Sequence, residues 1–181
     1  EKIGEKLGSD VPFFLSGGAA LVTGRGERVR SLAMPAGQLS VLLINPGFSS
    51  GTAAAFAKLD EFRARKGRID DSSSKLFGQK GPAGEDLIRF LEENPASWPY
   101  VNDFLPVLRE DGERGAAYKR IFRDLRELGA DFSGLSGSGS SCFGIFADRE
   151  SAKRAFDALF QSWIFVKLTF FLARRPEPVL K

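Results

Sequence analysis

Three short segments carry residues whose types and spacing could do chemistry. The first is Gly8-Ser9-Asp10-Val11-Pro12-Phe13-Phe14. Its acid follows a helix end and precedes a proline-stiffened aromatic stretch, so Asp10 is expected partly buried on a rigid mount. Desolvation and a nearby cation could tune such a carboxylate for proton transfer. A capping or turn aspartate would be written with the same residues. The second segment runs from Gly134 to Gly144, where Ser136, Gly137, Ser138, Gly139 and Ser140 alternate. Alternating Ser and Gly leave backbone amides open to a ligand, the makings of an anion nest. The segment lies between an apolar helical pattern and the strand-like Phe143 to Phe146, so it is a loop clamped inside a domain, not a linker. It has no lysine, which disfavours a Walker-type phosphate loop. The third segment is Asn45-Pro46-Gly47 with Thr52 and Phe56 beyond it. Thr52 opens a helix whose N-terminus could favour a phosphate, and Phe56 follows one turn later. Ordinary capping and a core phenylalanine would read the same way.

Composition narrows the chemistry. The chain has no histidine, which removes Ser-His-Asp and Cys-His catalysis and the usual zinc sites; no metal-ligating residue is assigned. Carboxylates, hydroxyls, amides and basic side chains remain. The one cysteine, Cys142, forms no intrachain disulfide, suits a reducing compartment and is expected buried and inert. A net charge of +3 accompanies a single basic cluster at Arg63, Arg65, Lys66 and Arg68. That falls short of the basic stripe nucleic-acid binding requires, so no nucleic-acid partner is expected, while an anionic small molecule stays compatible. No run approaches the roughly 20 apolar residues of a membrane helix, and no membrane partner is expected. The 181 residues, 43% hydrophobic, suit one domain or one domain with part of another.

The elements that must position these segments follow from pattern. Glu1 to Leu7 reads as a helix already under way, with no cap before it. Pro12 disfavours a helical Val11, so Phe13 to Leu15 is expected as a strand. A turn at Ser16-Gly17-Gly18 then leads into a strand over Ala19 to Thr23. Gly24 to Glu27 is a glycine turn, and Leu39 to Ile44 a buried strand. Thr52 to Arg65 is expected as a helix with Ala53, Phe56, Ala57, Leu59 and Phe62 on its apolar side. Lys66 to Gly84 turns to Gly, Ser, Lys and Asp, a long loop. Short helices are expected at Glu85 to Glu93 and from Asn102-Asp103. Gly115 to Leu128 is the clearest helix, with Tyr118, Ile121, Phe122, Leu125 and Leu128 on one face. Two strands joined by the Ser/Gly turn fill Phe132 to Phe146; Arg149 to Phe160 is a helix and Trp163 to Leu172 a strand. Without strict βαβ alternation the class is α+β, helices on one face of an antiparallel or mixed sheet, with a ferredoxin-like arrangement preferred.

Taken in order, five motifs resemble the 4-diphosphocytidyl-2-C-methyl-D-erythritol kinases, a family of the GHMP superfamily. They are Leu7 to Leu15 around Asp10, the glycine turns Gly17-Gly18-Ala19 and Gly24-Arg25-Gly26-Glu27, Asn45-Pro46-Gly47 with Thr52 and Phe56, Asn102-Asp103-Phe104, and Leu135 to Gly139. The resemblance runs from residue 1 to about Phe146. It implies residues 1–36 as the last elements of an S5-like ATP-binding domain and 37–181 as a GHMP-kinase C-terminal ferredoxin-like domain. It further implies transfer of the γ-phosphoryl of ATP, with Mg2+, to a hydroxyl of a cytidylyl substrate. Asp10 would accept or orient the hydroxyl proton, Phe56 would stack on the cytosine with Thr52 beside it, and the Ser136 to Ser140 backbone would line the floor near the phosphates. Gly51 stands where many relatives have proline. The family's main ATP-phosphate loop and the lysine partner of its aspartate would lie before residue 1, so these residues are expected to be the C-terminal portion of a longer kinase, inactive alone. Its setting would be the cytoplasm, or a plastid in a plant. Two other readings stay open: a non-catalytic ferredoxin-like anion-binding domain, and a GHMP kinase for homoserine, mevalonate or a sugar. The oligomeric state is not specified by the sequence.

Overall fold

Val41 to Ile44 in Ser40–Asn45 (β3) is a continuous apolar run, which suits a strand in the interior of a sheet, paired along both edges. In the computed structural model, which describes residues 8, 10–16, 18–33, 39–66 and 85–171, it lies inside a four-stranded antiparallel sheet. Its neighbours are Cys142–Phe146 (β5) on one side and Phe165–Phe170 (β6) on the other, with Phe132–Leu135 (β4) beyond β5. Leu42 stands opposite Gly144 in β5 and Leu168 in β6. Numbered within this sheet, the strands run in the order 2-3-1-4, with a helix-bearing crossover after the first and third. That is the ferredoxin-like arrangement expected of the chain.

Two helices close one face. Gly112–Glu127 (α5) repeats apolar side chains at helical spacing and buries Gly115, Tyr118, Ile121, Phe122 and Leu125. Beyond it the Ala130 N–H donates to Leu125 O (2.9 Å), which turns the chain into β4. Arg149–Leu159 (α6) buries Ala152, Ala155 and Leu159. It starts where the Asp148 carboxylate accepts from the N–H groups of Glu150 (3.3 Å) and Ser151 (2.8 Å), filling two of the donors a helix start leaves free. From the sheet, Leu42, Ile44, Leu135, Cys142 and Phe146 meet these helices in one core.

Before β3 the chain forms a separate two-stranded sheet. Ala19–Thr23 (β1) and Arg28–Leu32 (β2) pair as a hairpin, with Val11–Ser16 (α1) packed against β2. Here the sequence reading is corrected, because Phe13 to Leu15 is helical and not a strand. Pro12 sits in the first turn of α1, where a missing N–H removes no intrahelical bond and the fixed φ suits a helix start.

Thr52–Lys66 (α2) is a helix as expected, but its buried stripe is Ala55, Leu59 and Phe62, while Ala53, Phe56 and Ala57 are exposed. Glu85–Leu91 (α3), a single 3-10 turn at Pro95–Ser97 and Leu105–Leu108 (α4) complete the elements. Leu59 and Phe62 pack on Val107 and Phe104, fixing α2 to α4. Arg63 and Arg65 of the basic cluster form exposed ion pairs with Asp103 (3.0 Å) and Glu110 (3.2 Å). The helix expected over Glu1 to Leu7 lies outside the described residues, as does most of the loop expected from Lys66 to Gly84.

Helix α5 rests directly on β5. A Cβ built on Gly144 would lie 2.7 Å from Leu125 Cδ2 and 3.2 Å from Phe146 Cε2. Leu125→Ala is therefore expected to cost about 2–5 kcal/mol and Gly144→Ala about 1–3 kcal/mol. The double variant should be less destabilised than the sum, because the methyl added at 144 enters the space left at 125. Urea midpoints of the four proteins check this.

Candidate active site

The Ser/Gly loop between β4 and β5 is a folded hairpin end. The Ser136 N–H donates to Ser141 O (2.9 Å) and the Gly139 N–H to Ser136 O (3.0 Å). Gly137, at φ 55°, is the first central residue of this turn, and a positive φ there matches a type II′ turn, which calls for glycine. Gly139 (φ 88°) is required for a second reason: a Cβ on it would lie 2.8 Å from the Tyr118 hydroxyl oxygen in α5. The loop thus lies on the helix with nothing but backbone between.

Three other segments converge on it. From the stretch after β3, the Ser50 hydroxyl donates to Ser138 O (2.7 Å) and Thr52 Oγ1 lies 3.1 Å from Ser138 Oγ. The Ser140 hydroxyl donates to Phe48 O, and Asn45 Nδ2 donates to Ser141 Oγ (3.3 Å). Asn45 Oδ1 also accepts from the Gly47 N–H (2.8 Å), the side-chain turn that Asn-Pro-Gly favours. From the stretch before α4, Asn102 Nδ2 donates to Leu135 O (3.0 Å) and Gly137 O (2.8 Å). Among the described residues the N–H groups of Gly137 and Ser138 have no acceptor. A Cβ added at Gly137 would meet nothing within 4 Å among the described residues.

Beside this loop stands an aromatic wall. The Phe56 ring meets Phe104 edge to face at 4.9 Å and 89°, and it remains 52% exposed. The alternative of a core phenylalanine is thereby set aside, since the faces of this ring are not enclosed.

Of the residues singled out from the sequence, Thr52, Ser136, Gly137, Ser138, Gly139 and Ser140 lie in one bonded cluster, and Phe56 stands one turn along α2 from Thr52. Asp10 is not joined to them by any described contact. It precedes α1, its carbonyl accepting from the Phe14 N–H (3.3 Å), and it is exposed. The expectation of a partly buried Asp10 is corrected, because a residue at the open end of a six-residue helix meets solvent. The sequence reading missed Ser50, Phe48 and Asn102 as holders of the loop. Asn102 was visible as part of a motif; Ser50 and Phe48 act through one hydroxyl and one carbonyl, for which no pattern exists.

The family model described as GHMP kinases C terminal matches residues 85–164. The 4-diphosphocytidyl-2-C-methyl-D-erythritol kinase of Treponema pallidum (strain Nichols) is 35% identical over 163 residues, 90% of this chain and 53% of that protein. Residues 85–164 are thus similar to the C-terminal domain of the GHMP kinases. The same-named kinase of Solibacter usitatus is 36% identical over 157 residues, covering 87% of this chain and 46% of its own length. A crystal structure of 4-(cytidine 5'-diphospho)-2C-methyl-D-erythritol kinase superposes with a TM-score of 0.67 at 27% identity, over 92% of this chain and 54% of that one. Homoserine kinase from Cytophaga hutchinsonii superposes at 0.61 with 20% identity, over 91% and 51%, a likeness of fold alone. The chain spans about half the length of the curated relatives it matches.

Beneath the loop, Cys142 is fully buried, its thiol 3.6 Å from Ser140 O. Burial pushes its pKa from 9.0 up to about 12, with Arg109 acting weakly in the other sense. The neutral thiol is thus the folded form, and the unfolded chain sheds its proton first. The resulting stability is fully present below about pH 9 and is lost as pH rises toward 12. Cys142 should resist a thiol-reactive dye at pH 8 in the native protein and react at once in denaturant. Rapid native labelling would show that the core opens at β5.

Proposed function

We propose that the complete protein is a 4-diphosphocytidyl-2-C-methyl-D-erythritol kinase, transferring the γ-phosphoryl of ATP to a hydroxyl of that small molecule in non-mevalonate isoprenoid biosynthesis. What carries the reading is the Ser/Gly loop itself: a rigid turn with two unspent amides at Gly137 and Ser138, held by Ser50, Thr52 and Asn102. Relatives of that name at 35% and 36% identity support the choice of substrate.

In this reading residues 1–36 complete an ATP-binding domain and 37–181 form the C-terminal domain. ATP supplies the transferred phosphoryl group, and the amides of Gly137 and Ser138, with the Ser136 to Ser140 backbone, are the described groups that suit a phosphate oxygen. Among the described residues no three of Asp, Glu, His and Cys gather to hold a metal, so no ligand set for Mg2+ is assigned. Asp10 orients the acceptor hydroxyl and takes its proton. Phosphoryl transfer asks chiefly for positioning and charge neutralisation, which accords with a chain without histidine. The exposed Phe56 ring gives the cytosine a face to stack on, and Thr52 lies beside it. No described helix is long and apolar enough to cross a membrane; the pathway implies the cytoplasm, or a plastid in a plant. These 181 residues span about half of such an enzyme, and turnover by them alone is expected to be absent.

The test is ATP-dependent phosphorylation of 4-diphosphocytidyl-2-C-methyl-D-erythritol by the complete protein. Asp10→Asn should abolish turnover while substrate still binds, and unchanged turnover would remove Asp10 from the mechanism. Phe56→Ala should weaken the cytidylyl substrate by about tenfold, the worth of one aromatic contact, with little change in the KM for ATP. Equal activity on homoserine or mevalonate would transfer the assignment to another substrate.

A further inference from the structure

We propose that Asn102 is a positioning residue that registers the phosphate-facing loop against the aromatic wall. The proposal rests on the reading above for what the loop and the wall bind, and on geometry alone for what Asn102 does. A side-chain amide has two N–H donors and one carbonyl acceptor, and here all are used in different directions. The donors go to Leu135 O (3.0 Å) and Gly137 O (2.8 Å), the carbonyls on either side of Ser136 where the chain leaves β4. The Oδ1 accepts from the Phe104 N–H (2.9 Å), and the Phe104 ring is the one Phe56 leans on. One planar group therefore ties the base of the loop to the backbone that carries the wall. Rotation of that amide would break contacts on both sides.

Its neighbours do not duplicate this. Ser50 and Thr52 hold the loop at Ser138, and Ser140 holds itself to Phe48. These fix its far end to the stretch after β3. The near end, at Leu135 and Gly137, is bonded to a side chain only through Asn102 among the described residues.

Two substitutions separate the two halves of the role. Asn102→Asp keeps an oxygen for the Phe104 N–H but sets a carboxylate oxygen against two carbonyls, with no proton between them. Asn102→Ala removes both connections. Amide hydrogen exchange of the 181-residue chain, read by NMR, reports each half. The Gly139 amide, bonded across the turn to Ser136 O, reads the loop; the Phe104 amide reads the wall; Ile121 and Leu125 amides in α5 are the folding control.

In Asn102→Asp, Gly139 should exchange about tenfold faster or more, the loss expected when a hydrogen-bonded support is replaced by repulsion. Phe104 should stay within about threefold of wild type in that variant. In Asn102→Ala both amides should speed up. Gly139 exchange that stays within about threefold of wild type in Asn102→Ala, with the α5 amides unchanged, overturns the proposal. Should the Asp variant lose α5 protection, the uncharged Ala variant decides alone.

Titration with pyrophosphate distinguishes this proposal from the reading beneath it. Wild type should show shifts at the Gly137 and Ser138 amides, with affinity falling about tenfold in Asn102→Asp. No binding by wild type would sink the phosphate reading of the loop, while the exchange data would still decide the role of Asn102.

Discussion

The closeness with which α5 lies on the β4–β5 hairpin governs most of what surrounds it. Side chains normally separate a helix from a sheet, and the gap is filled by their interdigitation. Here the contact is made at residues without a Cβ. Leu125 presses on the backbone of Gly144, and the Tyr118 hydroxyl lies against Gly139. Because the helix is this near, Cys142 and Phe146 are sealed beneath it with no exposed surface. For the same reason the Ser/Gly turn cannot sink into the domain. It is propped from below by a tyrosine that is itself 1% exposed.

That propping has a cost. The Tyr118 hydroxyl is buried with no hydrogen-bond partner among the described residues, and such a group forfeits about 1–3 kcal/mol. Burial also raises its pKa to about 12, the neighbouring Cys142 adding to the effect, so it remains a neutral prop. Holding the turn from above falls to several hydrogen bonds, each worth about 1 kcal/mol net, drawn from the stretch after β3 and the stretch before α4. No single bond dominates. The turn keeps its shape because several weak bonds agree on it, and that leaves the amides of Gly137 and Ser138 uncommitted. The ion pairs that flank α2, by contrast, are exposed and worth little. Leu59 and Phe62 against Val107 and Phe104 keep Phe56 in place.

How much of this was legible in the sequence follows the range of the forces involved. Helix α5 and strand β3 were readable because their burial repeats within a few residues: Tyr118, Ile121, Phe122 and Leu125 recur at helical spacing, and Val41 to Ile44 is a continuous apolar run. The Ser/Gly turn was legible because glycine and serine alternate there for a conformational reason. Helix α1 was misread because proline was weighed as a breaker, when its place in the first turn is compatible with a helix. The buried stripe of α2 was turned the wrong way because alanine and phenylalanine occur on both faces, and only the partners in α4 decide which face is covered. Asn102 lies at the other limit. Its three bonds join positions up to 35 residues apart, and nothing within a local window marks an asparagine that spends its whole amide in this way.

The ferredoxin-like sheet says little about what is bound, since homoserine kinase shares the fold at 20% identity and one architecture serves many substrates. Discrimination must lie in side chains set on it. In the proposed reading the decisive ones are Phe56 and Phe104. An edge-to-face pair leaves the outer ring with a free face of fixed direction, because Phe104 blocks one approach and α2 holds the other end. A flat base gains from such a face, whereas a small hydroxy acid or amino acid offers nothing to cover it. The turn amides, in turn, suit any phosphate and carry no preference of their own. Selectivity would then come from the wall and phosphate affinity from the loop, and the distance between the two would set which ligand can use both. That distance is set by backbone on both sides of one asparagine, which is why a neutral residue that touches neither ligand can bear on the choice between them.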